Sequence, residues 1–554
     1  MKLNSTRKGY YEVHVDGKKQ SKHTSVTEVI AKGFELKSNN LGAEVRIKQP
    51  DLLIDVELSD SINELEDKIR ELEEKEQIYL EIIENLENCV DETTEEEEEE
   101  VEEEVEEAPP VGLKAFPTAI GAGANATGGR GGKICYVDTL TWDTAIVYDA
   151  STDSYSGGFY NMFYELDIPA KQIVFEVAGT IVVPNYTVLN FANKTYSGNI
   201  TISGQTAPGK IVFSTAYWSI SNCSNLIVRY IDFYKRDEVP GADTLWVVAD
   251  DASNVIDNII FDHCSFFYGQ DECLSITNSG TGLLDKVTVQ NTLMAASSKG
   301  SIIGSYNGIC DATTAYCAYV DVSYRFPNML CMGESRQDAI NIFVENNTSR
   351  LIRTTGSGKF NVQNMYVQSN RASYGRNKLQ YQTQYGNPTL HSSGTIITNG
   401  AKETPTSPDF DVWSIFAASD LPEYSPIPAE FRRDTPFDLV GQPFTIYPTE
   451  QIKDIVLPNV GNIKRVGENG EVIADSYPLT SYYIDRAINQ VPTDEQQNYP
   501  AERYPSIASS AGYVSTLKDG IPDVWRAANM SGENHNDIAP SGYTWLENYL
   551  NSVD

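Results

Sequence analysis

No apolar run in this 554-residue chain reaches the ~18 residues that a membrane-spanning helix needs. The opening MKLNSTRKGYYEVHVDG lacks the apolar core of a secretory signal. That predicts a chain not exported by a standard leader, which stays in the cytosol or leaves by lysis, for example as part of a virus particle. A basic stripe is missing as well, and the net charge is −36, so no nucleic-acid footprint is expected. Much of that charge sits in one run between Asp91 and Glu107. The eight cysteines show no CxxC or zinc-knuckle spacing, which favours buried free thiols over a disulfide framework. Helix signals are nearly absent from Ala115 to about residue 405.

What is present divides the chain into five stretches. Residues 1–57 read as a small α+β module suited to docking on a larger assembly. Tyr10 to Gly17 alternates like a strand and ends in Asp-Gly, a hairpin signal. Residues 24–38 read as a helix, and Glu44–Lys48 and Leu52–Leu58 as strands. Residues 58–90 carry a coiled-coil seam: Leu58, Ile62, Leu65, Ile69, Leu72, Glu76, Tyr79, Ile83, Leu86 and Val90 alternate steps of four and three. Isoleucine and leucine placement leans towards a dimer, and the polar Glu76 leaves the strand number open. Residues 91–112 read as a self-repelling acidic linker closed by Pro109-Pro110.

From residue 113 to 405 short apolar-x-apolar runs recur every twenty to thirty-odd residues, the range of solenoid repeats. Examples are Ile173–Val177, Leu226–Ile231, Ile259–Phe261, Val287–Val289 and Ile340–Val344. Polar residues follow several of them, at His263, Asn291, Asn346 and Asn364, where a parallel β-helix would stack them in a ladder. The fold class is therefore mainly β, a parallel β-helix after an α+β module and a coiled coil. A β-sandwich competes, but it would need regular hairpin turns, and few Asn-Gly or Asp-Gly pairs separate these runs. Residues 406–554, rich in proline and aromatics, read as wrapping loops with a short C-terminal amphipathic helix.

The chemistry-bearing residues concentrate between Asp243 and Arg325. Asp271 and Glu272 follow a Gly turn, a lone Lys299 comes later, and Arg325-Phe-Pro327 closes the stretch. Carboxylates at strand ends followed by Lys and Arg suit a site that takes a cation together with an anionic substrate. The bland readings are a turn residue for Asp243, a structural pair for Asp262 and His263, and a loop closure for Arg325.

Several segments, in order, resemble the pectate lyase family, polysaccharide lyase family 1. They are the Gly-rich opening from Ala115 to Lys133, Ile173–Ile181, Ile200–Gly209, Ile260–Phe266 with its Asp-His pair, Arg325-Phe-Pro327, and the tail from Asp519 to Leu550. The resemblance implies a right-handed parallel β-helix and calcium-dependent β-elimination of an acidic polysaccharide. It makes Asp243, Asp271 and Glu272 calcium ligands, Lys299 the substrate-binding lysine and Arg325 the base. Two carboxylate positions of the family are Gly241 and Ser275 here, which implies weaker calcium or calcium brought with substrate. The N-terminal module and coiled coil are similar to a bacteriophage tailspike. That implies a virion-borne depolymerase, most simply a trimer, attached to a phage tail structural protein, with no membrane or nucleic-acid partner. The other expectation is a catalytically silent tail fibre that grips a host surface glycan.

Overall fold

This computed structural model describes residues 112–554 without 252–254, 307, 349, 369–377, 384, 399–401, 418–425, 490–498 and 508–511, together with four short strands before residue 58. Residues 1–106 and 107–554 are separate compact units. The first holds β1 (Tyr11–Val15), β2 (Lys18–His23), β3 (Val45–Gln49) and β4 (Ile54–Glu57), an antiparallel sheet in the order β2-β1-β3-β4. Val15 pairs with Lys18 across Asp16-Gly17. β2 has no apolar alternation, and only its register against β1 reveals it. The expected helix at 24–38, the heptads at 58–90 and the acidic linker lie outside the described residues.

In the second unit the strands pair in parallel, apart from two short antiparallel ribbons at Val147–Gly157 and Lys464–Ala474. Hairpins are too few for a sandwich. Each turn of chain lays down two strands of a nineteen-stranded sheet and one of a nine-stranded sheet. The nine-stranded sheet, which carries the site described below, runs in chain order. Its strands are β5 (Thr187–Asn190), β6 (Trp218–Ser221), β7 (Leu245–Ala249), β8 (Glu272–Asn278), β9 (Lys299–Gly304), β10 (Asn328–Leu330), β11 (Arg353–Thr355), β12 (Leu379–Gln382) and β13 (Trp413–Ala417). The sheet thus continues past residue 405, because Leu379 pairs with Trp413. Prolines on either side of β13 give that stretch the look of a loop in the sequence.

The register explains the repeat. Ser219 pairs with Trp246, Trp246 with Ser275, Ser275 with Ile302, Ile302 with Asn328 and Asn328 with Arg353, so these coils take 25–29 residues each. Like residues then stack inside. Ile173, Ile202, Val228, Phe261 and Val289 form one buried column. Phe213, Phe233 and Phe266 form another, with ring centroids 5.6 and 4.6 Å apart. Identical registers let each added coil bury its apolar residues on those of the coil before.

The corners between strands need left-handed backbone, which favours asparagine among non-glycine residues. One column of such corners is Tyr230, His263, Asn291, Tyr316, Asn341 and Asn364, with φ between 48° and 58°. Asn346 does not belong to it. Asn346 stacks instead on Asp321, Ala296 and Tyr268 at the next corner of the coil. The expected ladder is therefore two ladders. The amides do not all bond from coil to coil either, since Asn341 Nδ2 donates to the carbonyl of Thr445 in the wrap, 2.9 Å.

The Gly-rich opening lies across the outside of the large sheet. Its backbone N–H groups donate to side chains of successive coils: Gly129 to Thr201, Thr127 to Asn225, Gly123 to Thr288 and Ala122 to Thr313, at 2.8–3.2 Å. A Cβ at Gly123 or Gly129 would collide with the carbonyls of Ile259 or Lys171. Close approach of two backbones is why this stretch is glycine-rich. Helix Trp545–Leu550, with a Thr544/Glu547 capping box, packs on Ile134, Tyr136 and Val174, the outward residues of early strands. Glu547 is tied to Arg130 at 2.7 Å. The seven described cysteines are buried and form no disulfide. No described helix is long and apolar enough to cross a membrane.

Candidate functional site

The five residues singled out in the sequence come together along one edge of the nine-stranded sheet. Asp243 stands two residues before β7, Asp271 one before β8, Glu272 opens β8, Lys299 opens β9, and Arg325 stands three before β10. Glu272 pairs with Lys299, and Leu245 with Leu274, which sets Asp243 level with Glu272. The coil period thus converts separations of 26–29 residues into stacking of neighbours. β-branched and apolar residues after each position drive the strands into register. The polar residues are left at the strand starts, where Asp243, Asp271, Lys299 and Arg325 are half-buried and Glu272 is buried.

The carboxylate oxygens of Asp243, Asp271 and Glu272 lie within 4.8 Å of one another. Lys299 forms an ion pair with Asp271, and Arg325 one with Glu272. Lys299 Nζ is also 4.0 Å from Glu272 Oε1. Asp243 Oδ1 accepts the backbone N–H of Glu272 at 2.9 Å. Burial pushes the Asp243 carboxyl up to about 6, against the pull of the Ser275 hydroxyl, Lys299 and Arg325. Arg325 is pushed down to about 9, first by burial and then by the neighbouring guanidinium of Arg353. Its Nε is buried without a hydrogen-bond partner. The residue sits at φ 69°, a left-handed conformation that a non-glycine residue adopts only when its surroundings hold it there. Burial also lowers the Lys299 ammonium.

Three hard oxygen groups at this separation fit a divalent cation of the calcium type, with Ser275 Oγ alongside. The departures at Gly241 and Ser275 have visible consequences. Gly241 adopts φ +74°, and a Cβ built on it meets nothing within 4 Å. Ser275 lines the groove and bonds Asp243 where a further carboxylate would have repelled it. The groove has a volume of about 330 Å³, with Asp243, Asp271, Glu272, Tyr217, Trp246 and Tyr306 among its walls.

Sequence reasoning missed Arg350 and Arg353. Arg353 opens β11 opposite Asn328, whose Oδ1 accepts from its Nε at 3.0 Å. Arg325 and Arg350 each lie 5.7 Å from the Tyr324 ring centroid. The signal was available: one coil of 25 residues beyond Arg325 lands on Arg350. Asp262 and His263 lie elsewhere, on the large sheet. There the fully buried Asp262 accepts from Arg229 Nε at 2.9 Å, and His263 Nδ1 lies 2.8 Å from its other oxygen. This is a structural network.

No protein-family model matches the chain. Over 187 residues, 33% of its length, the chain is 36% identical to a probable pectate lyase C of Emericella nidulans, covering 37% of that protein. It is 30% identical over 236 residues to a probable pectate lyase C of Neosartorya fischeri, 41% of this chain and 48% of the relative. The chain thus spans between a third and a half of the length of these curated relatives. Among solved structures, a mutant of Bacillus subtilis pectate lyase is 15% identical with a TM-score of 0.39, covering 64% of this chain and 99% of that one. The cedar pollen allergen jun a 1 is 12% identical with a TM-score of 0.37, covering 62% and 92%.

Proposed function

We propose that this chain is a polysaccharide lyase of the pectate-lyase kind, cleaving a uronate-containing polymer by β-elimination with calcium. One observation carries the reading: three carboxylates and two cations, from four successive coils, share one groove edge, with Asp271 and Glu272 already paired to Lys299 and Arg325. The similarity to the probable pectate lyases C supports it.

Elimination needs removal of the C5 proton of a uronate and departure of the C4 oxygen. Calcium held by Asp243, Asp271 and Glu272 would draw charge from the substrate carboxylate and acidify that proton. Lys299, paired here with Asp271, would bind a substrate carboxylate. Arg325, released from Glu272, takes the C5 proton. The C5–H electron pair forms the C4–C5 double bond, the C4–O bond breaks, and the leaving oxygen is protonated by solvent. An arginine ordinarily stays charged above pH ~12. Burial beside Arg353 makes its neutral form more accessible here.

The test is absorbance of the conjugated double bond with a panel of acidic polysaccharides. The expected result is growth with calcium and none after chelation. Cleavage of no uronate polymer by folded protein would leave the glycan-gripping fibre, with Gly241 and Ser275 as traces of lost chemistry.

The proposed setting is a phage-tailspike-like particle, acting outside the host cell. The heptads at 58–90 support a homo-oligomer, because a lone helix of that charge density has nothing to bury its seam against. Light scattering of the full chain is expected to give a trimer, and of a chain beginning at Val111 a smaller species. Monomers in both would remove the coiled coil.

A further inference from the structure

Two tyrosines continue the groove on the side away from the cations. Tyr186 stands just before β5 and Tyr217 just before β6, and Thr187 pairs with Trp218, so the tyrosines are level in adjacent coils. Their ring centroids are 6.0 Å apart, tilted by 36°. Tyr217 already walls the groove that Asp243 and Glu272 wall. Its ring is half-buried, braced on Ala216, Val239 and Ala242. Tyr186 is 69% exposed, and Val182 and Val188 beside it are each 55% exposed.

An exposed aromatic on a loose loop would mean little, but this loop is held. Arg236 reaches across from two coils on, past the coil of Ser214. Its Nη2 donates to the Val183 carbonyl at 3.1 Å and to Asn185 Oδ1 at 2.8 Å, while Nη1 donates to the Ser214 carbonyl at 2.6 Å. Tyr186 itself adopts φ 57°. A bulky residue kept in left-handed backbone, and kept out in solvent, is a position whose cost calls for a use.

We propose that Tyr186 and Tyr217 form a stacking subsite for the apolar C–H face of a pyranose. The subsite extends carbohydrate binding two coils beyond the carboxylates. The inference rests on the reading of the groove as a uronate-polymer site. Adjacent strands are ~4.8 Å apart, so the subsite begins at Tyr217, about 5 Å from the Asp243 coil, and reaches about 10 Å at Tyr186, where it engages a further sugar unit of the same polymer. Rigid, amphipathic tyrosine rings suit this, giving contact area at low conformational cost. The groove is then polarised: cations at Lys299, Arg325 and Arg353 hold carboxylates, and the tyrosines hold sugar faces irrespective of charge. Such a subsite tolerates neutral units in a heteropolysaccharide.

The experiment is calorimetric binding of tri- and hexagalacturonate, with calcium, to the full chain. Tyr186→Ala combined with Tyr217→Ala is expected to weaken hexamer affinity about five- to tenfold, and trimer affinity by clearly less. Tyr186→Phe should bind the hexamer like the native protein. Tyr186→Ala alone, at an exposed ring, keeps the test open if the double variant misfolds, and should show part of the same loss. Unchanged hexamer affinity in Tyr186→Ala, or equal loss for both lengths in the double variant, overturns the subsite. A native protein that neither binds nor cleaves either oligomer overturns the lyase reading itself, and the subsite with it.

Discussion

Arg325→Lys is expected to lower kcat by about a thousandfold, the scale of losing a positioned general base, while substrate affinity changes little. Charge is conserved in this substitution, so binding of the anionic polymer and the fold should survive. What changes is position and proton affinity. Arg325 places Nη1 on Glu272 and keeps Nε buried and unpartnered, with Arg353 lowering its hold on a proton. A lysine offers one nitrogen on a flexible stem, and the Glu272 carboxylate would keep it an ammonium. Turnover near the native value, in a variant with native circular dichroism, would exclude Arg325 as the base.

The largest stability loss is expected at Asp262, far from the chemistry. Its fully buried carboxylate accepts from Arg229 Nε on the preceding coil, from Gln290 Nε2 and Asn291 Nδ2 on the following one, and faces His263 Nδ1, all at 2.8–3.1 Å. Gln290 in turn accepts the Ile120 N–H of the Gly-rich opening at 3.0 Å. Burial works against the charge. His263 and Arg229 more than offset it and hold the carboxyl well below the usual range. Asp262→Ala removes the one group that serves three coils and the opening segment. It leaves Arg229, which sits 3.6 Å over the Phe116 ring, with Asp554 as its remaining carboxylate. A cost of about 3–5 kcal/mol follows for a broken buried pair. Denaturant midpoints read it, and an unchanged midpoint would show that Asp554 alone satisfies Arg229.

The β-helix is legible in the sequence because a coil of constant length turns register into period. Ile259–Phe261 and Val287–Val289 are separated by one coil and stack directly. The same arithmetic brought Asp243, Glu272 and Lys299 into one row. What it could not supply was the corner to which a polar residue belongs. Each coil bends more than once, and Asn346 follows an apolar run just as Asn364 does, yet the two occupy different corners. Partners far along the chain were also hidden. Nothing local in Asn341 announces the Thr445 carbonyl that completes its amide. Tyr186 and Tyr217 escaped notice for a related reason, since an isolated tyrosine carries no motif and only the register places the two rings side by side. β13 was obscured by flanking prolines, whose local signal masks a strand that the Leu379 ladder continues.

The central claim is elimination at the groove of Asp243, Asp271, Glu272, Lys299 and Arg325. Mass spectrometry of products formed from polygalacturonate in heavy-oxygen water tests it most directly. Elimination splits the chain without adding water, so one product of each cleavage carries a double bond and neither product gains heavy oxygen at the cleaved linkage. Products that each lack the double bond, with heavy oxygen incorporated once per cleavage, would mean hydrolysis and contradict the account.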